Sequence, residues 1–438
     1  MYEDIPTYDD VEYEYEDFYE DDNLYWEGED TYSPLLQTIS LSQLTTACII
    51  PTLIDSHSEA FMDSHILYHN GPGGTAFICR LQNDLRDDFV LFVKTTNVKY
   101  GPLCAIITVF EVFVVESKEW HIIRGIQMII VMKVISLGFD LDCGITPRLP
   151  SMIEFFGYCL CPGSLIFGPW HSYKQYLSFF TKLQLFGTGT LLLRIIISGI
   201  VGIAFLLLST CFMQWLVHDL ENKWFVAYRD ALSFRSSHYF ISFISELTVL
   251  ILAVESFQMN VKCFVSQPHK IEFPRSLTDV VIAWNIPMHY WLKTYVFKVI
   301  KPLNTFAGIF STYAASSLLH GLNFQLAAVL LSLGFYTYVE FIFRRKLALV
   351  FNACILTRKC RNDCSHHYKQ YHPLVILTNL GFLFLTVFHL AYLGVMFDDN
   401  SSLQDEGYNM NHTLSKWSNL NFTSHSIVLG MYTIYLLI

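Results

Sequence analysis

Long apolar stretches, each interrupted by a few polar side chains, set the pattern of this chain. From Leu303 to Phe343 run about 40 mostly apolar residues, roughly twice what one membrane crossing needs. The run must break, and the break is predicted at His320-Gly321-Leu322-Asn323, where glycine and asparagine interrupt the periodicity. Its second half, Leu326 to Phe343, ends on Arg344-Arg345-Lys346, read as a basic stop. Further crossings are predicted over Tyr100 to Val115 with Glu111, Leu191 to Val217 with Arg194, Phe240 to Leu252 with Glu246, and Pro373 to Phe397. A partial or broken crossing is expected between Leu277 and Phe297. Trp120 to Asp142 reads as an apolar helix carrying Arg124, Gln127 and Lys133. Phe167-Gly168-Pro169-Trp170 reads as a kink, and Tyr173 to Thr190 is amphipathic enough to lie at the interface.

Composition places the chain among polytopic membrane proteins. It has 438 residues, 53% hydrophobic and only 15% charged, whereas soluble proteins carry roughly 25% charge. The net charge of −11 misleads, because residues 1–30 hold 14 acids and no Lys or Arg, leaving 25 acids against 28 bases in the rest. No nucleic-acid partner follows. Residues 1–34 read as a disordered acidic tail, with docking to a basic partner as the functional alternative. Residues 35–99 are too polar for clear spans, and residues 100–438 form the expected membrane domain. No basic start with a continuous apolar core precedes the spans, so a later span is expected to direct the chain to the endoplasmic reticulum.

Two signals set the expected topology at the C-terminal end. Arg344 to His372 carries seven Lys and Arg and reads as a cytosolic loop. Lys223, Arg229 and Arg235 mark a second cytosolic loop by the same rule. Asn400, Asn411 and Asn421 head three glycosylation sequons beyond the last crossing, on the lumenal side, with Asn411 the preferred acceptor. His320 then falls at the lumenal end of its span.

Polar side chains inside lipid are costly unless they face a partner or an aqueous cavity. Asn285 and His320, 35 positions apart, are the two that bear most on function. A hydrogen-bonded, purely structural histidine is the bland alternative. The segment Trp284-Asn-Ile-Pro-Met-His-Tyr-Trp-Leu-Lys-Thr-Tyr-Val-Phe-Lys298, followed by Thr312-Tyr-Ala-Ala-Ser-Ser-Leu-Leu-His-Gly321, resembles the paired asparagine and histidine segments of the membrane-bound O-acyltransferase family. The resemblance runs from about Trp120 to Leu437 and is marked again at Arg124 to Lys133. It implies an all-α polytopic fold with roughly 8 to 11 transmembrane or re-entrant helices around a central tunnel.

Within that family the resemblance is to the branch that moves palmitoleate from its coenzyme A thioester to a serine of Wnt proteins. Palmitoleoyl-CoA is then a co-substrate reaching the tunnel from the cytosol, and Wnt proteins and membrane lipids are the partners. A neutral imidazole has the basicity to take a serine proton at physiological pH, which gives His320 the role of general base. Asn285 would donate or accept a hydrogen bond that positions the thioester or the developing oxyanion. Trp284, Trp291, Tyr295 and Phe297 either line the acyl or coenzyme path or anchor the chain at the interface. Ser316, one turn before His320, is placed to orient its ring. Arg124 and Lys133 either contact coenzyme phosphates or hold helices together through Glu111, Asp140 or Asp142.

The loop from Arg344 to His372 also offers Cys354, Cys360, Cys364, His366, His367 and His372, but no metal is expected, because Cys360-x-x-x-Cys364 with adjacent histidines has loose spacing for zinc; reduced or S-acylated thiols are the preferred reading. Rival functions are a glycerolipid acyltransferase of the same family, a transporter, and a non-catalytic Wnt-binding scaffold.

Overall fold

The computed structural model describes residues 117–166, 168–178, 188–213, 222–256, 264–301, 305–361, 364–397 and 410–438. The acidic tail, residues 35–99, the Tyr100 to Val115 crossing with Glu111, and Asn400 lie outside the described residues. Among those described, regular structure is all helical apart from one isolated bridge between Ala353 and Tyr368.

In chain order, α1 (Ser117–Asp142), α2 (Met152–Cys159), α3 (Pro162–Leu165) and α4 (Tyr173–Ser178) form one group. The long helices α5 (Thr188–Leu207, extended by a π-turn to Phe212) and α6 (Lys223–Ser256) pack along each other. Short α7 (Pro268–Glu272) and α8 (Leu277–Trp284) lead into α9 (Ile286–Leu292), which runs on through a π-turn over Lys293–Phe297. Then come α10 (Thr305–Leu319), α11 (Phe324–Phe351), α12 (Pro373–Gly394), α13 (Met410–Asn419) and α14 (Thr423–Leu437).

Three described helices have the length and apolarity to cross a membrane, Leu191–Phe212, Phe324–Phe351 and Pro373–Gly394. On α5 the outward residues Leu192, Leu193, Ile196, Ile197, Ile200 and Ile203 are exposed, an apolar face suited to lipid. The chain is a multi-pass membrane protein. Close approach of neighbouring helices to two of these spans follows from small residues: a Cβ at Gly334 would lie 2.7 Å from the Tyr313 ring of α10, and one at Gly394 2.6 Å from Ala231 of α6. The two charges read within spans neutralise each other, since Arg194 of α5 lies 3.9 Å from Glu246 of α6.

Of the two basic segments read as loops, the first is helical and the second, Arg344 to His372, is helical over its start to Phe351 and a loop thereafter. Lys223, Arg229 and Arg235 lie on α6, a continuous helix of 34 residues. Its cations are accommodated by partners and not by a solvated loop: Arg235 makes a two-pronged bond to Glu272 at 2.8 and 2.9 Å, and Lys223 donates to the Asn419 carbonyl at 2.9 Å. Likewise α11 continues through Arg344-Arg345-Lys346 to Phe351. Arg344 is wholly buried, paired to Glu340 at 3.0 Å, and donates to the carbonyls of Arg275, Ile355 and Leu356 and to Asn379 Oδ1. A charge that looks like a stop signal is the fastener between α8, α11, α12 and the loop after α11.

Candidate active site

The chain breaks where the polar residues fall. α8 ends and α9 begins at a single residue, Asn285, held at φ −148° and ψ 88°. Asn285 Oδ1 accepts the Met288 amide at 3.1 Å, so the side chain caps α9, whose first turn also carries Pro287. With the oxygen committed to the cap, the Nδ2 amide is the group left to donate, and it has no partner among the described residues. The second break lies at the expected place: α10 ends at Leu319, Gly321 takes φ +91°, and Asn323 Oδ1 caps α11 through the amides of Gln325 and Leu326. His320 sits in this turn, outside both helices, partly buried.

Packing brings the two breaks into one region. Leu319 shares an apolar cluster with Met288, Trp291, Leu292 and Tyr295 of the segment that Asn285 initiates. The His320 amide is shared between the carbonyls of Ser316 at 3.3 Å and Ser317 at 3.1 Å, so Ser316 meets His320 through its backbone. Burial holds the pKa of the His320 imidazole below the usual histidine range, and Arg124 and His238, close enough to act electrostatically on the ring, lower it further.

His238 is the residue that sequence reasoning missed. Its ring stacks on the Trp284 indole, centroids 4.2 Å apart and 10° from parallel, and its Nε2 donates to the Trp284 carbonyl at 2.9 Å. It therefore touches the residue before Asn285 while lying within electrostatic reach of His320. A lone histidine in a stretch read as a basic loop gave no signal of this; a periodicity window extended upstream of Phe240 would have placed it on a helix.

Trp291 donates from Nε1 to the Met132 carbonyl at 3.0 Å and Tyr295 donates to Asp140 at 2.9 Å, both fastening the broken segment to α1. Phe297 is buried against Ile309 and Phe341. Lys133 is fully buried, donating to the Tyr158 carbonyl at 2.7 Å and to Ser164 Oγ at 2.8 Å. Trp170, the last residue of the predicted kink, donates to Ser136 Oγ at 3.2 Å and stacks near Tyr290. Of the sequons, Asn411 is exposed on α13 with its Thr413 buried, and Asn421 is exposed at φ 55° just beyond α13.

The family model of the membrane-bound O-acyltransferases matches residues 108–360, more than half of the chain. This chain belongs to the membrane-bound O-acyltransferase family. As a member it is an acyl-CoA-dependent O-acyltransferase, and both chain breaks fall inside the matched residues. It is similar to the protein-serine O-palmitoleoyltransferase porcupine of Homo sapiens, 41% identical over 353 residues, covering 75% of this chain and 76% of the relative. The porcupine of Anopheles gambiae is 36% identical over 372 residues, covering 79% and 75%. A more distant O-acyltransferase, lysophospholipid acyltransferase 1 of Arabidopsis thaliana, is 25% identical over 283 residues, covering 51% and 60%.

Proposed function

We propose that this protein transfers a palmitoleoyl group from palmitoleoyl-CoA to a serine hydroxyl of Wnt proteins at the endoplasmic reticulum membrane. The observation that carries the reading is the 41% identity to a protein-serine O-palmitoleoyltransferase across three quarters of the chain. Similarity to a lysophospholipid acyltransferase is weaker and covers half of it.

The chemistry needs a base and an oxyanion donor, because a serine hydroxyl attacks poorly until its proton is taken and a thioester is already activated. In this reading His320 removes the proton as serine Oγ bonds to the thioester carbonyl carbon. The carbon–sulfur bond then breaks, and the proton passes from the imidazolium to the departing coenzyme A thiolate. No covalent acyl-enzyme is required. Asn285 Nδ2 donates to the carbonyl oxygen as it gains charge, a role supported by the commitment of its Oδ1 to the helix cap. His238 is a positioning residue, steadying Trp284 and so the adjoining Asn285. Arg124, beside His320 in charge terms, disfavours the imidazolium and favours an anionic coenzyme nearby.

The test offers purified protein two acceptors with palmitoleoyl-CoA, a folded Wnt hairpin peptide bearing the serine and a lysophospholipid. Acyl transfer to the peptide alone is expected. Transfer to the lysophospholipid alone would make the chain a lipid acyltransferase of the same family.

A further inference from the structure

The connection between α11 and α12, residues 352–372, is long and has no helix among its described residues, and such connections are uncommon unless something pins them. Its apolar anchor is small: Ala353, Cys354 and Ile355 pack on Ala348 and Val375. Three groups instead hold its first turn by the backbone. Arg275 donates to the carbonyls of Cys354 and Leu356 at 3.0 Å each, Arg344 to those of Ile355 and Leu356, and Asn379 to that of Cys354. The return of the loop is fixed where the Cys354 amide meets the Tyr368 carbonyl at 2.9 Å and the Tyr368 amide meets that of Asn352 at 3.0 Å.

Between these fixed points the chain gathers four metal-ligand side chains. The sulfurs of Cys354, Cys360 and Cys364 and a ring nitrogen of His366 all lie within 4.8 Å of one another. The Cys354 and Cys364 sulfurs are 3.4 Å apart, and His366 Nδ1 lies 3.7 Å from Cys354 Sγ and 3.8 Å from Cys360 Sγ. A tetrahedral zinc with bonds of about 2.3 Å to sulfur and 2.0 Å to nitrogen needs ligand-to-ligand edges of about 3.5 to 3.8 Å. Three of the edges, at 3.4, 3.7 and 3.8 Å, lie near that range with all four atoms within 4.8 Å of one another, and the Cys354–Cys364 separation is far beyond the roughly 2.05 Å of a disulfide; all three cysteines are unpaired.

Charge agrees with the geometry. Three thiolates, one neutral imidazole and a dication sum to one negative charge, and two cations face it: Lys369 Nζ lies 3.6 Å from Cys364 Sγ, and Arg275 is within electrostatic reach of Cys354 and Cys360. The spacing of Cys360-x-x-x-Cys364 does not show this grouping, which forms only as the fold returns Cys354 and His366 to the pair.

We infer that Cys354, Cys360, Cys364 and His366 bind one structural zinc ion that pins the loop after α11 to the buried Arg344 and Arg275. The ion has no part in acyl transfer, because the cluster lies at the end of α11 remote from His320, about 40 Å along a helix of 28 residues.

Full-length protein purified in detergent without added metal, and analysed by inductively coupled plasma mass spectrometry, tests this. About one zinc per chain is expected in the wild type, falling at least about fivefold in Cys364→Ser and His366→Ala. His366→Cys, which restores four ligands, and Cys211→Ser, which lies outside the loop, should keep the metal. Should the ligand variants fail to accumulate, cobalt exchanged into the wild type still decides, through the thiolate charge-transfer bands of a tetrahedral Cys3His site. A wild type without zinc and without those bands, or with its loop cysteines bearing hydroxylamine-labile acyl chains, overturns the inference.

Discussion

The imidazole of His238 lies flat on the indole of Trp284 and bonds its carbonyl, so one histidine of α6 grips the last residue of α8, the one preceding Asn285. The broken segment is thus held from one side by α6 and from the other by α1, through the bonds from Trp291 and Tyr295. Such support fixes a side-chain donor only as well as its own contacts are fixed. His238→Phe keeps a stacking ring but loses the bond, which is worth about 1 kcal/mol. We expect kcat to fall several-fold with little change in KM for palmitoleoyl-CoA, and His238→Ala to fall further. Steady-state transfer by purified variants reads this; a His238→Ala enzyme with unchanged kcat would remove the residue from the account.

Asn285 holds a helix cap and a proposed oxyanion donor in one side chain, and the two separate by substitution. Asp caps as well as Asn but has no Nδ2 donor. Asn285→Asp should melt near the wild-type temperature while losing about 10²- to 10³-fold in kcat, the usual cost of one oxyanion-hole donor. Asn285→Ala should lose both stability and activity. An active Asn285→Asp enzyme would leave Asn285 as a cap alone.

Arg344 is a stability residue. Breaking a buried pair by removing one partner strands the other charge and costs about 3 to 5 kcal/mol. Arg344→Met should therefore lower the melting temperature in detergent sharply, and adding Glu340→Gln, which removes the stranded carboxylate, should recover part of the loss. Equal melting of the wild type and Arg344→Met would contradict the buried network.

The acid limb of activity follows from His320. A base must be unprotonated to work, and its pKa is held below the ordinary 6.5 by burial and by the charges of Arg124 and His238. Protonation therefore sets in only as the pH falls beneath the usual histidine range, and activity should persist through pH 6.5 and decline below it. Arg124→Gln removes one cationic neighbour and should move that limb toward higher pH. Rates measured across pH in detergent check it; a wild-type limb centred at or above 6.5 would contradict the placement of the ring.

Much of this architecture was legible because backbone breaks have local causes. Gly321 and Asn323 announced the turn at His320, since caps and turns act over three or four residues, and the joint between α8 and α9 at Asn285 falls within the broken crossing expected between Leu277 and Phe297. Segments whose charges are satisfied at long range were misread. Arg235 finds Glu272 across 37 positions and Arg344 finds Asn379 across 35, so neither marks a solvated loop. A separation of 46 positions likewise hid His238 from Trp284.

The central claim is that the His320 imidazole takes the proton of the acceptor hydroxyl. The most direct measurement is single-turnover transfer of palmitoleate from palmitoleoyl-CoA to a serine peptide by purified His320→Ala, with folding verified by an unchanged melting temperature and acyl-CoA binding measured in parallel. Transfer lost by at least about a hundredfold with binding retained is the expected result. Undiminished transfer by a folded His320→Ala enzyme would contradict it.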